Sequence, residues 1–100
     1  MPKLYEYFGL IVLFYSNEHE PIHVHGKYNS QESKAEIIIE NGIIVAIVMK
    51  EVRGKTPLDS RTMKKFQRLV EIYKEDIVTK WIDFFVYNRE ISTETITQKL

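Results

Sequence analysis

The sequence of 100 residues contains no cysteine, only four glycines and three prolines, and no run long enough to span a membrane. The lack of cysteine excludes a disulfide-stabilised scaffold and any zinc site with thiolate ligands, and it fits a cytoplasmic protein. Residues 8–15 are apolar but too short for a membrane span, and no small-residue cleavage site follows them. We therefore predict a buried strand there, and neither a membrane anchor nor a signal peptide.

Two familiar motifs are also missing. Gly54-Lys55-Thr56 lacks the upstream glycine of a phosphate-binding loop, and Pro57 stands where the helix of that motif would begin. A His-Glu-x-x-His helix is the other: the letters occur at residues 19–23, but Pro21 disfavours a helix there, so a helical zinc-protease site is not predicted.

The net charge of zero conceals an asymmetry. Residues 50–68 carry seven basic and two acidic side chains, whereas the segments on either side are acidic. The basic side chains are Lys50, Arg53, Lys55, Arg61, Lys64, Lys65 and Arg68. Either they are the solvated face of a loop and a helix, or they form a cationic surface that contacts the phosphates of a nucleic acid, RNA in particular.

The three histidines all lie within residues 19–25. Pro21 disfavours a helix before it, so we predict a turn over residues 16–20 and a strand over residues 22–28. Side chains alternate along a strand, which places His23 and His25 on one face, roughly 6–7 Å apart. We expect this face to be open to solvent and near cationic neighbours, with His19 just across the turn.

Three interpretations of the histidines remain open. They are ordinary polar residues of a strand; or His19, His23 and His25 bind zinc or another divalent transition metal; or the same three are catalytic residues in acid–base chemistry on a phosphate, as in a ribonuclease-like toxin. Only the metal interpretation requires a cofactor.

The middle of the chain predicts further strands. Residues 29–33 are polar and predict a loop, and residues 34–40 predict a third strand. Asn41-Gly42 between two apolar runs predicts a two-residue type I′ hairpin, because both turn residues need positive φ. The register then pairs Ile39 with Ile44 and Ile37 with Ala46. Both faces of this hairpin are apolar, so we expect one to pack on a helix and the other to need a partner subunit.

The second half of the chain predicts one long helix. Asp59 or Ser60 is its cap, and apolar residues recur at spacings of three and four up to about residue 87. The apolar stripe comprises Met63, Phe66, Val70, Tyr73, Ile77, Trp81 and Phe84. The basic residues of the helix lie on the opposite face.

Together these patterns predict an α+β fold in one domain of residues 1–100. An antiparallel meander of four or five strands over residues 8–48 packs on the helix of residues 59–87. Residues 1–7 add to a sheet edge, and residues 88–100 form a last strand or a tail.

These motifs resemble a small bacterial family known as domain of unknown function 4160. The resemblance rests on Gly9 before an apolar strand, Phe14-Tyr15, the histidine run, the Gly-x-x-Pro at Gly54–Pro57 and the helix ending near Trp81. It implies a gene pair with a second small family, domain of unknown function 2442, as in toxin–antitoxin modules. The family usually has a second proline before His23, and often a histidine where this chain has Tyr73.

From the residues and the resemblance we expect a cytoplasmic component of a toxin–antitoxin-like pair, with no membrane association. Its expected partners are a small cognate protein, RNA, and a second copy of itself in a homodimer. A metal-binding module and a purely structural interaction domain are the alternatives.

Overall fold

A computed structural model describes residues 2–17 and 21–100 of the chain. In these residues six strands and one helix follow one another in the sequence. They are β1 (Lys3–Tyr7), β2 (Leu10–Leu13), β3 (His23–Tyr28), β4 (Gln31–Glu40), β5 (Ile43–Glu51), α1 (Ser60–Phe85) and β6 (Glu94–Ile96). The α+β class with a C-terminal helix on an antiparallel-rich sheet is therefore confirmed.

The strands form one sheet in the order β5-β4-β3-β2-β1-β6. The first five are an antiparallel meander, and β6 pairs with β1 in parallel. The meander predicted over residues 8–48 extends in the structure from Lys3 to Glu51. As expected for the N-terminal segment, β1 adds to the edge of the sheet beside β2, and β6 forms the predicted last strand on the other side of β1.

The helix α1 packs on one face of the sheet, which we call the inner face. Gly26 of β3 marks the closest approach, since a Cβ atom there would lie 2.8 Å from the ring of Phe66. Val24 and Ala35 flank this position and are fully buried in the same core. Because strand side chains alternate, His23 and His25 lie on the opposite face, which we call the outer face.

The β4–β5 hairpin has the predicted turn but not the predicted register. Asn41 and Gly42 have φ of 52° and 79°, as a type I′ turn requires, and Ile39 pairs with Ile44. A β-bulge then inserts one extra residue, so Ile37 pairs with Ile47 instead of Ala46. The bulge moves Ile47 to the inner face and leaves Ala46 exposed on the outer face.

A second tight turn separates β3 from β4. Asn29 has φ of 54°, and Tyr28 already pairs with Gln31 across a two-residue turn. The predicted loop over residues 29–33 is therefore wrong beyond residue 30. The side chain of Asn29 tolerates the left-handed conformation, which allows the strand to resume at once.

The helix begins and ends near the predicted residues. Asp59 is the N-cap, and its Oδ1 accepts a hydrogen bond of 2.8 Å from the backbone N–H of Thr62. α1 continues to Phe85 as one helix. Within the described residues, no helix is long and apolar enough to cross a membrane.

A polar cluster joins α1 to β1 on the inner face. The hydroxyl of Tyr5 donates to Asp76 Oδ2 at 2.5 Å, and Lys80 Nζ donates to the same oxygen at 2.6 Å. Burial raises the pKa of Tyr5 far above its usual range, and the hydrogen bond to Asp76 adds to this shift. Burial also acts to raise the pKa of Asp76, but the hydrogen bonds from Lys80 and Tyr5 and the charge of Lys80 together lower it.

Candidate functional site

His23 and His25 lie side by side on the outer face of β3. Their ring centroids are 5.2 Å apart and the rings are tilted by 65°. Their exposed fractions are only 6% and 2%, so the expected open face is wrong: the two rings are adjacent but buried. The third candidate, His19, lies outside the described residues.

A buried carboxylate holds the ring of His25. His25 Nδ1 donates a hydrogen bond of 2.9 Å to Glu32 Oε2. The hydroxyl of Tyr15 donates to the same oxygen, also at 2.9 Å, and the Tyr15 ring packs edge-on against His25 with centroids 4.4 Å apart. Glu32 is 2% exposed, and its Oε1 has no hydrogen-bond partner among the described residues. A buried carboxylate with an unpartnered oxygen is costly, which is typical of a functional position.

The hydrogen bonds determine which nitrogen of each ring carries the proton. His25 donates from Nδ1 to Glu32, and His23 donates from Nδ1 to the backbone carbonyl of Pro21 at 2.6 Å. In the neutral imidazole the other nitrogen, Nε2, is then the basic one. The site therefore contains two adjacent imidazoles, each held through its Nδ1 by an oxygen acceptor of the chain.

Sequence reasoning missed both Glu32 and Tyr15. Glu32 was assigned to a loop, whereas the tight turn after Tyr28 places it on β4, diagonal to His25 on the outer face. The signal that could have found it is Asn29, whose side chain tolerates the left-handed backbone conformation of a tight turn. Tyr15 follows the end of β2, where strand alternation no longer gives the direction of a side chain.

The described residues around His23 and His25 do not form a complete set of metal ligands. Among residues 2–17 and 21–100, no group of three or more histidine, aspartate or glutamate side chains is arranged to hold a metal ion. His23 and His25 would need a third ligand, and the sequence offers His19 for that role.

The cationic candidates divide between the two sides of the sheet. Arg61, Lys64, Lys65 and Arg68 are exposed on α1, beyond the inner face, so the sheet separates them from His23 and His25. Arg53 and Lys55 are exposed in the loop between β5 and α1, where Gly54 has φ of 79°.

Lys50 is the one predicted cation on the outer face with the histidines. It pairs with Lys34 across β4 and β5, and Lys34 pairs in turn with His25. Lys50 also forms an ion pair of 3.5 Å with Glu36. Lys27 and Lys34, which were not among the predicted binding residues, lie on the same face beside the histidine pair.

The outer face becomes apolar toward the hairpin tip. Ile43 is 65% exposed and Val48 is 39% exposed, and the bulge places Ala46 between them. The face opposite the helix thus combines a buried polar cluster on β3 and β4 with an uncovered apolar area on β5.

A model of the domain of unknown function (DUF4160) matches residues 9–82. This chain belongs to that family. The matched segment extends from β2 to within α1, so it includes His23, His25, Glu32 and the cationic residues. No curated protein and no solved structure matches the chain.

The structure places the position at which a departure from the family pattern was expected. Tyr73 lies on α1, and its ring is 4.8 Å from that of Tyr5. Tyr5 belongs to the inner face through its bond to Asp76. Position 73 is therefore on the other side of the sheet from His23 and His25.

Proposed function

We propose that this protein is a cytoplasmic component of a toxin–antitoxin-like pair that binds RNA through its cationic surface and a small cognate protein through the apolar outer face. The observation that carries the proposal is the state of the cations between residues 53 and 68. All six are exposed, and none forms an ion pair with another described residue. Cations without carboxylate partners are available to replace the counterions of a phosphate backbone.

The protein partner is supported by the uncovered apolar area on β5. Ile43, Val45 and Val48 of this strand are each more than a third exposed. Monomeric proteins rarely leave a contiguous apolar patch uncovered, and such patches mark interaction sites. The second small family implied by the family resemblance is a candidate for the protein that covers this apolar area.

Salt dependence of RNA binding tests the cationic surface. Fluorescence anisotropy with a labelled single-stranded RNA should give an affinity that falls between 50 and 200 mM salt. A variant with Arg53, Lys55, Arg61 and Lys65 each changed to glutamine should lower the slope of log affinity against log salt by about 0.7 for each cation removed. A control changes Lys3 and Lys99 to glutamine, both exposed and outside residues 53–68, and should leave the slope as it is in the natural sequence. The proposal would be refuted if RNA binding did not depend on salt, or if the control variant weakened it as much as the four-cation variant does.

Phosphodiester cleavage is a second candidate function, favoured by the carboxylate-held imidazole. His25 Nε2 would take the proton of a ribose 2′-hydroxyl, and the 2′-oxygen would attack phosphorus. The 5′-oxygen would leave with a proton from protonated His23, giving a 2′,3′-cyclic phosphate and a 5′-hydroxyl end. Glu32 would fix the tautomer and orientation of His25, as the carboxylate does in a catalytic triad.

Both histidine rings are buried, which restricts access to them. Phosphodiester cleavage therefore requires that the RNA reach the two Nε2 atoms. Cleavage of total RNA in the presence of a chelator should be lost in His25→Ala and in His23→Ala. Glu32→Gln should lower the rate and shift the pH–rate profile, whereas Glu36→Gln on the same face should change neither. Full cleavage by the double histidine variant would reject the candidate.

The metal alternative is favoured by the bond between Glu32 and His25, since metal-binding histidines usually donate their second N–H to a carboxylate. Protein purified without a histidine tag should then contain zinc and gain thermal stability when zinc is added. His19→Ala should abolish both effects. Absence of bound metal and of any thermal shift in the unmodified protein would reject this alternative.

A further inference from the structure

The strand β5 is an edge strand with little protection against pairing. It stands at one end of the sheet and has nine residues, whereas β6 at the other end has three. Natural proteins usually shield an edge by shortening it or by placing charges or proline along it. β5 has no proline, and its only charged residues are its last two, Lys50 and Glu51.

The helix leaves this edge uncovered. A groove of about 470 Å³ lies between the hairpin tip and the helix, where Ile43 and Ile44 face Lys74 and Glu75. A second groove of about 220 Å³ continues along the strand, from Ile44 to Ile47 beside Glu71. The two grooves show that α1 runs antiparallel to β5 along the open edge.

The helix face that borders the edge carries a divided charge pattern. Lys64, Arg68, Glu71 and Glu75 recur at spacings of four, three and four, so they lie along one stripe of α1. All four are exposed. The N-terminal half of the stripe is basic and the C-terminal half is acidic, although Lys74 forms an ion pair of 3.3 Å with Glu71.

We propose that β5 pairs in antiparallel register with β5 of a second copy of this chain, about a two-fold axis near Ile47. The six strands of each copy then form one continuous sheet. A two-fold axis reverses the direction of the stripe, so Lys64 and Arg68 of one copy are directed toward the acidic half of the other. The stripe is therefore complementary to itself, which favours a second copy over an unrelated strand.

The position of the axis agrees with the charge pattern. Ile47 is the midpoint of β5, and it borders the groove beside Glu71. The change of sign between Arg68 and Glu71 thus falls within one helical turn of the midpoint of the strand. One axis can serve both the strand pairing and the charge pairing.

A charge-swap experiment tests this dimer without RNA. Analytical ultracentrifugation should show a dimer for the natural sequence. Glu71→Lys with Glu75→Lys makes the stripe wholly basic, and Lys64→Glu with Arg68→Glu makes it wholly acidic, so each variant should be monomeric at the same concentration. An equimolar mixture of the two variants should dimerise again, because the wholly basic stripe of one variant then faces the wholly acidic stripe of the other. Glu90→Lys with Glu94→Lys, both exposed elsewhere, is the control for total charge and should leave the dimer intact.

Hydrogen exchange provides a readout on the natural sequence. In the dimer, protection of the outward-facing amides of β5 should disappear on dilution, while those bonded to β4 should stay protected. A monomer at every concentration, or a mixture that fails to restore the dimer, would overturn the proposal. Either result would leave RNA binding by Arg53, Lys55, Arg61 and Lys65 unaffected, so the two proposals fail separately.

Discussion

The two faces of this sheet follow different physical rules. Apart from the cluster of Tyr5, Asp76 and Lys80, the inner face is apolar and close-packed, with the ring of Phe66 directly over Gly26. The outer face buries His25 and Glu32 beside the half-buried Tyr15, around one shared carboxylate oxygen, and then exposes isoleucine and valine on β5. The inner face resembles what folding alone requires. The outer face buries polar groups and exposes apolar ones, whereas stability alone favours the opposite. Such a departure is typical of a face adapted for function.

The largest expected effect comes from the inner face. Phe66→Ala removes a fully buried ring from the centre of the core, so we expect the free energy of unfolding to fall by about 3–5 kcal/mol. Denaturant unfolding followed by circular dichroism measures this loss. The matched control is Ile72→Ala on the same helix, 47% exposed, which should cost less than about 1 kcal/mol. Equal losses at the two positions would contradict the assignment of the inner face.

A smaller loss is expected from the buried carboxylate of the outer face. Glu32→Ala removes the acceptor of two hydrogen bonds, from the half-buried Tyr15 hydroxyl and from the buried His25 Nδ1–H, so we expect a loss of about 1–3 kcal/mol in total. Glu36→Ala removes a carboxylate from the same strand and face that pairs only with a half-exposed lysine, and it should cost less than about 1 kcal/mol. If Glu32→Ala were neutral or stabilising, the cluster would not be as tightly coupled as its geometry indicates.

The tyrosine of that cluster should matter less. Tyr15→Phe keeps the ring against His25 and removes the hydrogen bond of 2.9 Å to Glu32, so we expect a loss of about 1 kcal/mol. Tyr87→Phe is the control, because Tyr87 is 59% exposed. A double variant with Glu32→Ala should lose less than the sum of the two single losses, since both act on one bond.

The smallest expected effect is a dependence of stability on pH from the cluster of Tyr5 and Asp76. The pKa of Asp76 is lowered in the folded state, so its stabilising contribution is present above the unfolded pKa of about 4 and is lost as the pH falls through the folded pKa. The pKa of Tyr5 is raised, so its contribution is present below about pH 10 and is lost as the pH rises beyond that value.

The free energy of unfolding, measured from pH 3 to pH 11, should therefore fall at both ends of this range. Asp76→Asn should reduce the fall at acid pH, which we call the acid limb. Tyr5→Phe should reduce the fall at alkaline pH, which we call the alkaline limb. Glu90→Gln and Tyr87→Phe, at exposed positions, should leave the two limbs as they are in the natural sequence. Unchanged limbs in the Asp76 and Tyr5 variants would show that other groups govern them.

Part of the candidate site could be predicted from the sequence, and part could not. Alternation along a strand placed His23 beside His25 without any knowledge of the rest of the fold. It could not give their burial, because burial depends on what covers the outer face. Nor could it give Glu32, because that residue reaches His25 only through the register of β3 with β4.

The cations show the same division. Helical periodicity correctly placed Arg61 and Lys65 away from the apolar stripe of α1. Only the packing of the helix on the inner face determined that these cations and the histidines lie on opposite sides of the sheet.

Local rules thus determined the hairpin at Asn41-Gly42, the helix that begins after Asp59 and the pairing of the two histidines on one strand face. Each follows from backbone geometry or side-chain period within a few residues. The bulge that exposes Ala46, the parallel addition of β6 to β1 and the carboxylate that holds His25 were decided by the tertiary structure. These features join residues distant in sequence, and their free energies depend on which surfaces meet when the chain folds.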